Sequence, residues 1–162
     1  MTKRSIAIAI AALGFSLAAA ADDRLVRFDG GIGVIPTGST ATAVRGVPAA
    51  GQIWVISRLS ADIRTDGSIS VDGRGLLLGS GNNVGFNANA RVIATLICEP
   101  ATTAVPVPPQ HSTNPAGVAL EANGDFRIND VLSPVPAACP SPVLLIRNAA
   151  TGGWFAAGIP KQ

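Results

Sequence analysis

Residues 52–78 read QIWVISRLSADIRTDGSISVDGRGLLL. Ile53, Val55, Leu59, Ala61 and Ile63 recur at period two, while Arg58, Ser60, Asp62 and Arg64 fill the alternate positions. Beyond Asp66-Gly67 the alternation resumes, with Ile69, Val71 and Leu77 set against Ser68, Ser70, Asp72 and Arg74. Successive side chains of a strand point to opposite faces, so this stretch is strand, turn, strand with one apolar face. Loop length then fixes the register. A two-residue loop at Asp66-Gly67 sets Ile63 opposite Ser70 and mixes the faces. A three-residue loop, Thr65-Asp66-Gly67, sets Ile63 opposite Ile69 and Ala61 opposite Val71. The second keeps the apolar face intact and predicts Gly67 in the left-handed conformation of a bulged hairpin.

The same pattern extends along the chain. Val118 and Leu120 precede Ala122-Asn123-Gly124, and Phe126 and Ile128 follow. A three-residue loop there predicts Leu120 opposite Phe126 and Val118 opposite Ile128, with Gly124 left-handed and Glu121 facing Asp125. Shorter strands are expected at 25–28 and 32–35 around an Asp29-Gly30-Gly31 turn, at 91–98, at 143–147, and at 154–159 after a turn over 149–153. The 91–98 stretch is rich in Val, Ile and Leu and reads as a buried central strand. No segment after the N-terminus holds helical periodicity, because Gly and Pro interrupt it too often. Residues 36–51 read as a small, flexible loop and 79–89 as a Gly/Asn-rich one. Residues 99–115 hold five prolines, and 133–142 hold four more, which keeps both segments out of central strands. Short strands and Gly/Pro turns in one domain predict an all-β fold, a single antiparallel β-sandwich, with a closed barrel as the alternative. Trp54 and Trp154 are expected in or beside its core.

The N-terminus reads as an address. Lys3 and Arg4 precede an apolar run over 6–17, and Ala19-Ala20-Ala21 supplies the small residues of a cleavage site before Asp22. Residues 1–21 are therefore expected to be a cleaved signal peptide, with 22–162 a secreted or periplasmic domain. The run is short for a membrane span, and Asp22, Asp23 and Arg24 follow it at once. No stable membrane anchor is expected after cleavage. The 162-residue chain has 12 basic and 10 acidic residues; removing Lys3 and Arg4 leaves 10 of each, a net charge of zero. Without a basic surplus, nucleic-acid binding has no electrostatic footprint. Weak self-repulsion permits self-association. Cys98 and Cys139 are the only cysteines, and in an oxidising compartment they are expected to form one disulfide.

The catalytic inventory is thin. His111 is the sole histidine and lies beside Ser112 in a proline-rich loop, where it is expected to face solvent. A Ser–His–acid system would need a remote partner for it, and no Gly-x-Ser-x-Gly elbow exists. The carboxylates Asp62, Asp66, Asp72, Glu99, Glu121, Asp125 and Asp130 fall mostly at turns or on outward faces, with an acid pair as the hydrolase alternative. Asp62, Asp66 and Asp72, with Asn82 and Asn83, are the only calcium-like grouping, and no Asp-x-Asp-x-Asp loop supports it. Gly30-Gly31-Ile32-Gly33 and Gly73-Arg74-Gly75 lack the Gly-Lys-Ser/Thr of a phosphate cradle. No metal and no cofactor is expected. The loop over 79–89, with Asn82, Asn83, Phe86 and Asn87, is the candidate contact surface, since loops on a rigid sandwich often carry binding.

Four stretches carry a resemblance: RLVRFDGGIGVI at 24–35, DGRGLLL at 72–78, ATLIC at 94–98, and NGDFRINDVLSP with PVLLIRNAATGGWFAAGI over 123–159. Together they resemble short secreted bacterial proteins of unassigned function. The tail also resembles transthyretin-like and immunoglobulin-like extracellular domains, in which an Asn/Asp-Gly turn leads into a Phe-x-Ile strand. That resemblance implies a sandwich and carries no catalytic residues. The function expected is a non-enzymatic binding or structural domain whose partner is an unknown protein or a second copy. A small hydrolase using His111 or a carboxylate pair, and a self-assembling surface subunit, are the alternatives.

Overall fold

The computed structural model describes residues 23–37 and 42–161; the expected signal peptide lies outside them. The described chain is all-β, with eleven strands and no helix. They are β1 (Arg24–Gly33), β2 (Trp54–Val55), β3 (Arg58–Arg64), β4 (Ser68–Arg74), β5 (Leu77–Leu78), β6 (Arg91–Ile97), β7 (His111–Ser112), β8 (Val118–Ala119), β9 (Phe126–Val131), β10 (Val143–Asn148) and β11 (Trp154–Pro160). Nine form one antiparallel sheet in the order β7-β6-β10-β11-β1-β3-β4-β9, with β8 also on β6; β2 and β5 form a ribbon of their own. The long sheet folds over on itself as a sandwich. Leu59, Ile63, Val71, Phe126 and Ile128 from one half share a core with Val92, Leu96, Leu144 and Ile146 from the other.

The decisive hairpin forms as its pattern predicts. Ile63 pairs with Ile69 and Ala61 with Val71, and Gly67 has φ of 84°. Its flanks differ from expectation. Between Val55 and Leu59 the chain leaves β2 for β3, so Trp54 turns inward and Val55 is 48% exposed. Past Gly75, at φ 62°, the burial parity also changes: Leu76 and Leu78 are buried, and Leu77 only partly.

Residues 25–35 hold no turn. β1 runs through Asp29-Gly30-Gly31 with a bulge between Phe28 and Gly31. Gly30 takes φ of 104°, and Leu59 packs so close to Gly31 that a Cβ there would meet it at 2.8 Å. The bulge bends β1, whose first half pairs with β3 and whose second half pairs with β11, carrying the sheet from one layer to the other.

The turn at 122–124 forms, with Gly124 at φ 80° and the Glu121 N–H on the Asp125 carbonyl at 2.9 Å. The expected hairpin ladder does not continue from it. β8 pairs with β6, Val118 opposite Val92, and β9 pairs with β4, Val71 opposite Ile128. Phe126 and Ile128 gain more burial against β4 than the short β8 could give, so the two strands part after their first bond. The sheet closes at one corner instead, where Ser112 and Ser133 exchange backbone hydrogen bonds of 3.1 and 2.9 Å.

β6 is buried on both faces, as its unbroken apolar run predicts. The expected loops cover it. Arg45 donates to the Ile97 and Ser141 carbonyls at 3.0 and 2.6 Å. Arg147 donates to Gln110 Oε1 at 2.7 Å. The Trp154 indole N–H reaches the Thr42 carbonyl at 2.9 Å. Cys98 and Cys139 are joined in a disulfide.

The outer face of β3, β4 and β9 carries an ionic network. Arg74 pairs with Asp72 at 2.7 Å and Asp125 at 2.9 Å, and Arg127 pairs with Asp72 at 2.9 Å. The bond from Arg74 holds the Asp125 carboxyl below the ordinary range, assisted by the Gly75 N–H; Arg74 and Arg127 do the same for Asp72. A carboxyl whose pKa is depressed on folding stabilises fully above its unfolded value, about 3.9, and loses that contribution as pH falls through the folded value. Asp125→Asn is therefore expected to lower the melting temperature by a few degrees at pH 7. Thermal melts across pH should show that gap closing progressively below about pH 4, because the wild type has then lost the same interaction.

Candidate functional site

The antiparallel register brings several chain segments to one end of the sheet. β6 begins at Arg91 where β10 ends, with Val92 opposite Asn148, and β8 lies beside that start with Ala119 opposite Arg91. The β10–β11 loop, the end of the 79–90 loop, the approach to β2 and the segment before β8 therefore converge. Between them lies a cavity of about 640 Å³. Ligand pockets span roughly 300–1,000 Å³. Its walls are made of small side chains: Ala50, Ala88, Ala90, Ala116, Ala149 and Ala150. Trp54 and Phe155 also line it, with ring centroids 4.0 Å apart and planes tilted by 35°. Gln52, Asn89, Asn148 and Thr151 supply polar groups, and among the described residues Arg91 is the one charged residue in the lining.

Arg91 and Asn148 are held from behind. Arg91 Nε donates to the Ala116 carbonyl at 2.8 Å, and Nη2 donates to the Gly117 carbonyl at 2.6 Å. Asn148 Oδ1 accepts the Ala150 and Thr151 N–H groups at 2.8 and 3.2 Å. Asn148 also closes its loop through backbone bonds to Gly152 and Gly153. Ala88 and Asn89 have φ of 52° and 50°, a conformation that costs a residue with a Cβ roughly 1–2 kcal/mol. Asn87 clamps them in it. Its Nδ2 donates to the Glu121 carbonyl at 2.9 Å, and its Oδ1 accepts the Asn89 N–H at 2.9 Å. Consecutive strained residues persist where the surroundings over-determine them, and here they form the cavity rim.

The chain matches no family model, no curated protein and no solved structure.

The expected contact loop meets this cavity only at its far end. Phe86 is 63% exposed, and Asn82 and Asn83 are exposed; none of the three lines the cavity. Asn87 is the clamp behind the rim. Sequence reasoning reached Asn89 only as the last residue of the 79–89 loop, missed Arg91, Asn148, Thr151 and Phe155, and read Trp54 as core or core edge. No spacing links these positions; the shared end of the sheet does.

The candidate catalytic groups lie elsewhere. His111 is 8% exposed, not the surface residue its proline-rich setting predicts, because β7 pairs it into the sheet beside β6. Its Nδ1–H donates to the Pro134 carbonyl at 2.7 Å. Neighbouring Ser112 points its hydroxyl to Thr95 Oγ1 at 2.9 Å, so the two side chains do not meet. Asp62 pairs with Arg24 at 3.0 Å, Asp66 accepts the Ser68 N–H at 2.8 Å, and Asp130 accepts the Asn114 N–H at 2.7 Å. Among the described residues, no three His, Cys, Asp or Glu side chains converge on one point.

Proposed function

We propose that this chain is an exported, disulfide-bonded binding domain that takes a small ligand in the cavity between Trp54, Arg91 and Asn148. The observation that carries the reading is the cavity itself, about 640 Å³ with alanine walls, an aromatic pair, and Arg91 and Asn148 held in place from behind. A strained rim clamped by Asn87 supports it, since such strain accompanies preformed sites. Export is supported by the Cys98–Cys139 bond, which is characteristic of oxidising compartments. No described helix is long and apolar enough to cross a membrane. The transthyretin-like and immunoglobulin-like resemblance belongs with this reading, as such sandwiches present ligands and partners at loop-bearing ends.

The test is a fragment screen by ligand-observed NMR on the mature protein and on Ala150→Trp. Ala150 is exposed, lines the cavity and sits in a turn, so an indole there fills the space while sparing the core. Fragments that bind the wild type should weaken by about tenfold or more in the variant, a difference of roughly 1.4 kcal/mol. Equal binding by both proteins would remove the cavity as the site.

A further inference from the structure

We infer that the cavity selects a small monocarboxylate with a compact apolar body; this rests on the cavity being the binding site. The inference comes from which hydrogen-bonding groups remain unused there. A guanidinium has five N–H groups, and Arg91 commits two to the Ala116 and Gly117 carbonyls, leaving three. An amide side chain has one acceptor and one NH₂ donor. Asn148 spends its acceptor on the Ala150 and Thr151 N–H groups, which fixes the amide's orientation, and Nδ2 bonds nothing among the described residues. Trp54 is 4% exposed, and among the described residues its indole N–H has no acceptor. Among the described residues no fully buried side-chain nitrogen or oxygen lacks a partner, so that N–H reaches solvent, and the cavity is the space Trp54 lines.

The unused groups on these three residues are all donors: an indole N–H, an amide NH₂ and a guanidinium. No carboxylate lines the cavity to compete for them. These donors match an anionic oxygen pair, and charge-assisted bonds to a guanidinium are about twice as strong as neutral ones, so Arg91 outweighs the neutral Gln52, Asn89 and Thr151 side chains that also line the cavity. A single cation with two neutral donors suits one carboxylate, whereas a phosphate dianion calls for more positive charge. The alanine walls and the Trp54–Phe155 pair give the rest of the ligand an apolar surface, so the body is aryl or short and branched rather than polyhydroxylated.

Two probes of the same shape separate charge from fit: benzoate and benzamide. Titration of the mature protein, followed by NMR, is expected to show benzoate binding about tenfold or more tightly than benzamide. Asn148→Asp is the decisive variant. It keeps Oδ1 for the Ala150 and Thr151 N–H groups and replaces the free donor with an anionic acceptor. Benzoate affinity should fall by about tenfold or more, with benzamide changed by less than about threefold and the melting temperature close to wild type. If that variant is destabilised, Arg91→Gln gives the same comparison from the neighbouring strand.

Benzamide binding as tightly as benzoate would overturn the inference, as would benzoate affinity unchanged in both variants. Neither probe binding, while neutral fragments bind and are lost in Ala150→Trp, would overturn the carboxylate and leave the site standing. Fragments indifferent to Ala150→Trp would take down the site and the carboxylate together.

Discussion

Reducing the Cys98–Cys139 disulfide is expected to lower the free energy of unfolding by about 4 kcal/mol. The bond closes a loop of 41 positions between the end of β6 and the segment that leads into β10. Cross-linking a chain over that distance removes loop-closure entropy from the unfolded ensemble, and the chain-entropy relation gives that value. The native junction has other supports. The Ser141 N–H bonds the Cys98 carbonyl at 2.9 Å, and Arg45 bridges the Ile97 and Ser141 carbonyls. These bonds hold the two segments together without the sulfur link, so the reduced protein should still fold, at a disadvantage that resides mainly in its unfolded state. A domain of this size has roughly 5–15 kcal/mol of stability, so the loss is large. Urea melts with and without reductant should show the midpoint falling by about 2 M with little change of slope in the native baseline. A midpoint shift below about 0.5 M would mean that the unfolded chain keeps these segments together by itself.

How far the sequence reaches depends on whether a contact is local. The β3–β4 hairpin was legible because only one loop length keeps Ile63, Ile69, Ala61 and Val71 on one face, and the register follows from counting. The turn at Gly124 was legible for the same reason. Its strands were not, since Val118 and Ile128 suit either a mutual ladder or separate partners. The choice depends on β4 and β6, where Val71 lies 57 positions before Ile128 and Val92 lies 26 before Val118. Asp29-Gly30-Gly31 has the composition of a turn, and composition alone does not separate a turn from a bulge. The approach of Leu59 to Gly31 decides it, and that is a tertiary contact.

The candidate site was less legible than the fold for the same physical reason. Asn82, Asn83, Phe86 and Asn87 stood out as exposed-loop residues, and only Asn87 takes part, from behind the rim. Trp54 has the hydrophobicity of a core residue and is one, yet it also lines the cavity. Arg91 and Asn148 are neighbours because β6 starts where β10 ends, which the chain order does not announce. His111 shows the opposite failure. Flanking prolines marked its segment as a surface loop, while pairing of Leu96 with His111 drew it into the sheet.

Glycine positions allow a controlled test of how much tight backbone packing contributes at the 122–124 turn. Gly124 and Gly81 both have left-handed backbones, at φ of 80° and 75°. A Cβ on Gly124 would lie 2.6 Å from the Leu76 nitrogen and oxygen, whereas a Cβ on Gly81 would meet nothing within 4 Å. The neighbours of Gly124 are backbone atoms, and the Leu76 N–H itself donates to the Gly124 carbonyl at 2.9 Å. They cannot yield without opening that bond and displacing Leu76, a fully buried side chain. Gly81→Ala is expected to lose only the left-handed penalty, roughly 1 kcal/mol. Gly124→Ala adds an overpacking term of roughly 1–3 kcal/mol to the same penalty, so its total is about 2–4 kcal/mol. Denaturant melts of the two variants isolate the difference, because the unfolded-state effect of adding a methyl is common to both. A loss at Gly124 no greater than at Gly81 would show that Leu76 moves freely. The β8–β9 turn would then be anchored by the Glu121–Asp125 bond rather than by its contact with the segment before β5.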